Sequence, residues 1–184
     1  METETSGDDD SSSNLLKLWE YKKEIMINIA EKGVQIGYIK GVLLNVDNIL
    51  NELKSNEALK VLQFTDKEEE EEIRSFYIQV LSRKPYGDKA FYITELFIEK
   101  DYRGKGLGSK IFQVLPGFLQ KIDEDISCIY LLPGPLEKVN GEVTYIMNQK
   151  DEQMVALKNK LIKFYESLGF KRIDQTDFFI EKIS

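Results

Sequence analysis

A short basic, glycine-rich segment is the part of the sequence whose residue types point most directly to chemistry. It reads Arg103-Gly104-Lys105-Gly106-Leu107-Gly108-Ser109 and lies between an apolar stretch and an amphipathic one. Glycine lets a backbone turn tightly and approach a ligand closely. The first N–H groups of a helix have no intrahelical partner and attract negative charge. The segment therefore predicts a seat for a phosphate or pyrophosphate group at a helix start.

Two other phosphate-binding patterns do not fit this segment. The dinucleotide fingerprint requires Gly-x-Gly-x-x-Gly after a strand, with an acidic residue about twenty positions later. The glycines at positions 104, 106 and 108 have a different spacing. The phosphate loop of nucleotide triphosphatases requires four residues between its glycines and a Gly-Lys-Ser/Thr ending, which is absent. A plain glycine-rich loop remains an alternative when the segment is taken alone.

The neighbouring hydrophobic pattern predicts the elements that position the segment. Ala90–Ile98 is apolar and typical of a strand, and Leu107 to about Lys121 has helical periodicity. Pro116 falls inside this helix and predicts a kink or an early end there. Ser127–Leu132 is a short apolar run that predicts a strand parallel to the first.

The other predicted elements lie before and after this core. Residues 24–46 alternate between apolar and polar around Glu31-Lys32-Gly33, as a hairpin does. Gly169 follows a strongly amphipathic helix and is a typical residue for its C-terminal cap. The remaining expectations are helices at 48–62, 67–81 and 152–168, an excursion near the site at 136–150, and strands at 170–173 and 178–183.

Composition excludes several classes of protein. The net charge is −7, but residues 1–10 hold five acids and no lysine or arginine, so residues 11–184 carry −2, the difference between −7 and −5. We predict a disordered acidic tail at 1–14 and one domain at 15–184. No basic stripe, signal peptide or membrane-length apolar run is visible, which argues against a nucleic-acid or membrane partner. The single cysteine, Cys128, favours a cytoplasmic location.

Two stretches together resemble the GNAT superfamily of N-acetyltransferases. The first is ELFIEKDYRGKGLGSKIF, in which Arg103-x-x-Gly106-x-Gly108 follows an apolar strand and an aromatic residue. The second is KLIKFYESLGF, in which a helix carrying Tyr165 precedes Leu-Gly-Phe. The close resemblance covers Phe91–Leu119 and Asn159–Phe170, and residues 1–89 resemble the family only in the order of their elements.

The resemblance implies an α/β domain of the α+β type, with a mixed central sheet of six to seven strands and helices on both faces. Two parallel strands, here Ala90–Ile98 and Ser127–Leu132, would splay apart to hold acetyl-CoA. The first strand would pair with the pantetheine arm as an added strand does, and one of its N–H groups would polarise the thioester carbonyl. The implied cofactor-binding residues are Leu96, Phe97, Ile98, Arg103, Gly104, Lys105, Gly106, Leu107, Gly108 and Ser109.

The resemblance also implies that Tyr165 is the general acid. A phenol with a pKa near 10 can donate a proton to a departing thiolate. Without the resemblance, Tyr165 is better interpreted as an aromatic residue on the apolar side of a helix.

A base is needed as well, because an amine attacks only when it is neutral, and the chain has no histidine. Glu95 is the best candidate, since burial among the apolar residues of its strand would raise its pKa. A structural ion pair between Glu95 and a lysine is an equal alternative. Cys128 is predicted to be a buried thiol rather than an acetyl carrier.

These observations predict an enzyme that transfers an acetyl group directly from acetyl-CoA to a primary amine of a small molecule or peptide, with no metal. A non-catalytic acyl-CoA sensor and a pure interaction protein on the same fold are the alternatives. A homodimer is compatible with the sequence.

Overall fold

A mixed sheet is the centre of the computed structural model, which describes residues 22–53, 87–146 and 152–183. The strands are β1 Lys22–Glu31, β2 Val34–Asn45, β3 Lys89–Ile98, β4 Ile126–Leu131, β5 Leu136–Val139, β6 Glu142–Tyr145, β7 Lys171–Arg172 and β8 Phe179–Lys182. The helices are α1 Val46–Leu53, α2 Leu107–Ile122 and α3 Glu152–Ser167. Six strands form one sheet in the order β1-β2-β3-β4-β8-β7, and β5 pairs with β6 separately. The predicted α/β class and mixed sheet are confirmed.

Most of the described elements match the sequence predictions. The first hairpin turns at Lys32 and Gly33, both of which have positive φ angles, and β4 pairs with β3 in parallel as expected. Helix α2 runs from Leu107 through Pro116 to Ile122, which agrees with the predicted span, so of the two effects expected at the proline the early end does not occur. The predicted tail at 1–14 and helix at 67–81 lie outside the described residues, as does most of the predicted helix at 48–62.

Helices pack on both faces of the sheet, as predicted. Val46 and Ile49 of α1 join one cluster of buried residues. On the other face, α2 and α3 share a second cluster, to which they contribute the buried residues Ile111, Phe112, Leu115, Leu119 and Tyr165. Among the helices of the described ranges, none is long and apolar enough to cross a membrane.

Strands β3 and β4 pair over only part of their length. Their register runs from Lys89 opposite Ile126 to Ile93 opposite Leu131. Strand β3 then continues from Thr94 to Ile98, where no strand of the described residues pairs with it on the β4 side. Its pairing with β2 shifts at the same place, because Lys40 faces Glu95 whereas Gly41 faces Ile93. Thr94 is therefore the extra residue of a β-bulge, a feature that bends a strand and re-aims its side chains, at the point where the sheet opens.

Cys128 lies in β4 with 1 % of its surface exposed, which confirms the predicted buried thiol. Burial raises the pKa of this thiol from 9.0 to about 11. Below pH 9 the thiol is protonated in the folded and unfolded chains alike, so its contribution to stability is fully present. As pH rises through this window the unfolded chain ionises first, and the contribution, about 3 kcal/mol for two pKa units, is lost.

We therefore expect the free energy of unfolding to fall between about pH 9 and about pH 11. Urea denaturation of the wild type and of Cys128→Ala at about pH 8 and about pH 10.5 measures this fall. The variant, which has no thiol to titrate, should lose less stability over the interval. Equal losses in both proteins would contradict the assignment.

Candidate active site

The glycine-rich segment forms a turn whose open side faces solvent. Gly104 and Gly106 have φ angles of 73° and 74°, a backbone conformation that favours glycine. A Cβ built on either residue would meet nothing within 4 Å. Helix α2 begins at Leu107, and its first described intrahelical bond runs from the N–H of Lys110 to the carbonyl of Gly106. The N–H groups of residues 107–109 have no intrahelical acceptor, so the turn offers several donors to an anion.

The two cations of the turn contact aromatic rings. The Nε of Arg103 donates to the carbonyl oxygen of Ile98 at 2.6 Å, and its guanidinium lies 5.3 Å from the centroid of the Phe97 ring. Lys105 lies similarly over Tyr102, at 5.6 Å. Arg103 therefore attaches the turn to the end of β3, a positioning role beyond the positive charge predicted for it.

Gly108 lies at the contact between α2 and α3. A Cβ at this position would lie 2.8 Å from the Phe164 ring of α3, closer than real side-chain atoms approach. The sequence predicted Gly108 as a cofactor-binding residue, and its backbone N–H does belong to the first turn of α2. Its lack of a side chain, however, serves the contact between α2 and α3.

The predicted pantetheine-binding residues pair with β2 on one edge and with no strand of the described residues on the other. Leu96, Phe97 and Ile98 pair with Ile39, Tyr38 and Gly37 of β2. On the other side, the described part of β4 has already ended. The backbone groups of β3 that face this gap are the ones an extended ligand would use.

Glu95 has two partners on β2. Its carboxylate accepts a hydrogen bond from the Tyr38 hydroxyl at 2.7 Å and from Lys40 Nζ at 3.1 Å. Its side chain is 22 % exposed, so the expected burial among apolar residues is only partial. The structural ion pair, one of the two interpretations left open by the sequence, is present. Burial, and then the hydrogen bond to Glu95, raise the pKa of the Tyr38 phenol, so this hydroxyl remains a donor to the carboxylate.

Tyr165 lies in an aromatic cluster on the opposite face of the sheet. Its ring packs edge-on against Phe112 and Phe170, and burial raises its pKa to about 12. Within the described residues no hydrogen bond joins its hydroxyl to Glu95 or to the glycine turn. The structure therefore gives Tyr165 a clear packing role, and the general-acid role stays a prediction.

A groove of about 630 Å³ lies on the Glu95 face of β3. Tyr38, Lys40, Phe97 and Glu99 line one side, and the β5–β6 hairpin supplies Lys138, Gly141, Glu142 and Val143. Sequence reasoning placed an excursion at 136–150 but did not identify these residues. Only the alternation of β2, which puts Tyr38 and Lys40 on one face, could have indicated part of the set. In the described part of the chain no group of three or more potential ligands could hold a metal ion.

Comparisons with known proteins bear on the family to which this chain is similar. A family model described as "Acetyltransferase (GNAT) domain" matches residues 68–172, more than half of the chain. No curated protein matches. A protein of Agrobacterium tumefaciens assigned as an acetyltransferase has a TM-score of 0.44 at 12 % identity, over 99 % of this chain and 96 % of its own. Arabidopsis thaliana NAA60 in complex with acetyl-CoA has a TM-score of 0.39 at 12 % identity, over 83 % and 68 %. Because these two TM-scores are low, the family model alone carries the assignment.

Proposed function

Because the chain belongs to the GNAT family of acetyltransferases, we propose that it transfers an acetyl group from acetyl-CoA to a primary amine of a small molecule or peptide. The amine attacks the thioester carbon, a C–N bond forms as the C–S bond breaks, and coenzyme A leaves as the thiol or thiolate. The amine gives up its proton to a base in the groove.

One juxtaposition carries this proposal: an anion seat lies a few residues after β3, and beyond Ile93 no strand of the described residues pairs with the β4 side of β3. The seat at residues 104–109 suits the pyrophosphate, and the β3 backbone from Thr94 to Ile98 suits the amides of the pantetheine arm. An arm that starts at the seat and runs back along β3 ends beside Thr94 and Glu95. A backbone N–H at this end of the strand is then the donor to the thioester oxygen as it gains negative charge.

Glu95 is the base in this proposal, and Lys40 is its partner before the acceptor binds. Tyr38 and Lys40 line the groove and both bond the Glu95 carboxylate, so an ammonium group that displaces Lys40 Nζ reaches this carboxylate. Since the Lys40 side chain is 46 % exposed, it can withdraw into solvent at small cost, because exposed ion pairs contribute little. The carboxylate then takes the proton of the amine, directly or through a water molecule.

We expect Glu95→Gln to lower kcat/KM about tenfold, because the amide cannot accept the proton while a water molecule still can. Lys40→Met is the matched control, because it removes the ion pair and keeps the carboxylate. A kcat/KM in Glu95→Gln no lower than that of Lys40→Met would remove Glu95 from the mechanism.

Two measurements test the function. Isothermal titration calorimetry with acetyl-CoA should give saturable binding, and no heat above background at millimolar concentration would contradict every ligand-based interpretation. A thiol-release assay over polyamines, aminoglycosides, amino acids and peptides should then identify an accepted amine.

The second candidate is a non-catalytic acyl-CoA sensor. It is favoured by the ion pair that occupies the Glu95 carboxylate and by the raised pKa of Tyr165. Both features weaken acid–base catalysis without affecting the anion seat. Tight acetyl-CoA binding without turnover of any amine would support the sensor.

A further inference from the structure

Tyr145, the last residue of β6, contacts β3 at the place where the sheet opens. Its hydroxyl donates a hydrogen bond to the backbone carbonyl oxygen of Thr94. Thr94 is the extra residue of the bulge, and it directly follows Ile93, the last residue paired with β4. The phenol therefore ends at the first β3 carbonyl beyond the parallel ladder.

The Tyr145 ring also contacts the chain that leaves β4. A Cβ built on Gly134 would lie 2.8 Å from the ring, so the ring lies almost directly on the Gly134 backbone. Gly134 follows shortly after Leu131, the end of β4. The Tyr145 side chain thus connects the two strands where they separate: its ring edge contacts Gly134 after β4, and its hydroxyl contacts Thr94 of β3.

Further contacts hold the β5–β6 hairpin in this position. Lys138 forms an ion pair with Glu99 at 2.8 Å, and its Nζ lies 5.9 Å from the Phe97 ring centroid. At the base of the hairpin, the N–H of Ile146 donates to the carbonyl of Pro135 at 3.0 Å. Contacts with Thr94 and Phe97 of β3, and with Glu99 just after it, place the hairpin beside the opening.

We propose that Tyr145 is the end wall of the acyl site and that it restricts the donor to coenzyme A thioesters with a short acyl chain. This inference rests on the proposed function, in which the arm runs from the anion seat back along β3. The acyl group is the far end of that arm, so it points toward Thr94 and the bridging ring. A longer chain would have to displace the ring from both of its contacts.

Calorimetric titration with free coenzyme A, acetyl-CoA, butyryl-CoA and hexanoyl-CoA tests the proposal without knowledge of the acceptor. We expect the wild type to bind hexanoyl-CoA at least tenfold more weakly than acetyl-CoA, since a single methylene changes binding in a fitted pocket by a factor of ten or more. Tyr145→Ala should reduce this ratio to about threefold or less. Tyr145→Phe, which keeps the ring and loses the hydrogen bond, should fall between the two.

The controls separate the possible outcomes. Val139→Ala alters the same hairpin at a residue that is 46 % exposed and should keep the wild-type ratio. An unchanged ratio in Tyr145→Ala, or a wild type that binds all acyl lengths alike, overturns the proposal. The proposal is also overturned if Tyr145→Ala binds free coenzyme A and every thioester more tightly by one common factor, because the ring would then obstruct the pantetheine arm and not the acyl group. Absence of acetyl-CoA binding to the wild type contradicts the proposed function instead.

Should Tyr145→Ala unfold, the Tyr145→Phe ratio decides, because that substitution removes one hydroxyl group and leaves the ring in place. Circular dichroism of each variant establishes which comparison applies. A Phe variant with the wild-type ratio, beside an unfolded Ala variant, would overturn the role of the Thr94 hydrogen bond in fixing the wall.

Discussion

Gly106→Glu is expected to lower the affinity for acetyl-CoA by at least about a hundredfold. Gly106 is the residue before α2 and has a φ angle of 74°, which a glutamate side chain adopts only with strain. The added carboxylate would lie at the open side of the turn, where a Cβ meets no other atom. It would therefore compete with the pyrophosphate for the N–H groups of the first helical turn and repel it. Calorimetry with acetyl-CoA measures the loss.

Gly106→Asn is the matched control for this experiment. Asparagine tolerates the left-handed conformation better than other side chains do and adds no charge, so it isolates the steric part of the effect. We expect Gly106→Asn to bind with a loss of about tenfold or less and to keep the wild-type melting temperature within a few degrees. If the two variants bind equally well, the anion does not lie at this turn.

The strands and helices of this protein were predictable where their hydrophobic period is strong. The turn at Lys32-Gly33 and the start of α2 after Gly106 followed from the glycines. Of the kink or early end expected at Pro116, the early end does not occur, because packing offsets the lost hydrogen bond: Leu115 and Leu119, on either side of the proline, are both buried against the sheet. Hairpin β5–β6 was not predictable as two strands, since each has four residues and neither buries a face.

The site was harder to predict than the fold, because the pairing register of the strands decides which side chains meet in it. The Glu95 ion pair depends on the bulge at Thr94, which decides that Lys40 rather than Gly41 faces the carboxylate. A sequence pattern with period two does not locate such a bulge. The dual use of Gly108 is hidden for a similar reason, since its contact with Phe164 joins residues far apart in the chain. The anion seat could be predicted because its residues are adjacent in the sequence. The groove could not, because its residues come from β2, β3 and the β5–β6 hairpin.

Tyr165→Phe is expected to lower turnover by about 10- to 100-fold while the affinity for acetyl-CoA stays within about twofold. Burial raises the pKa of this phenol to about 12, whereas an ordinary thiol has a pKa near 8.5. Complete proton transfer to the thiolate would thus be uphill by roughly 5 kcal/mol. A hydrogen bond to the developing thiolate is the better role, and a hydrogen bond to a charged group contributes about 1.5–3 kcal/mol. Thiol release at saturating acetyl-CoA measures the effect.

The phenylalanine variant isolates the hydroxyl, because the edge contacts of the ring with Phe112 and Phe170 need no oxygen. Phe170→Leu serves as the packing control, since it disturbs the same cluster and leaves the hydroxyl in place. A loss in Tyr165→Phe that clearly exceeds the loss in Phe170→Leu assigns the effect to the hydroxyl. Equal losses would make Tyr165 a core aromatic residue, and unchanged turnover would remove it from the reaction. In either case the reaction would have no general acid on α3, which would favour the non-catalytic acyl-CoA sensor.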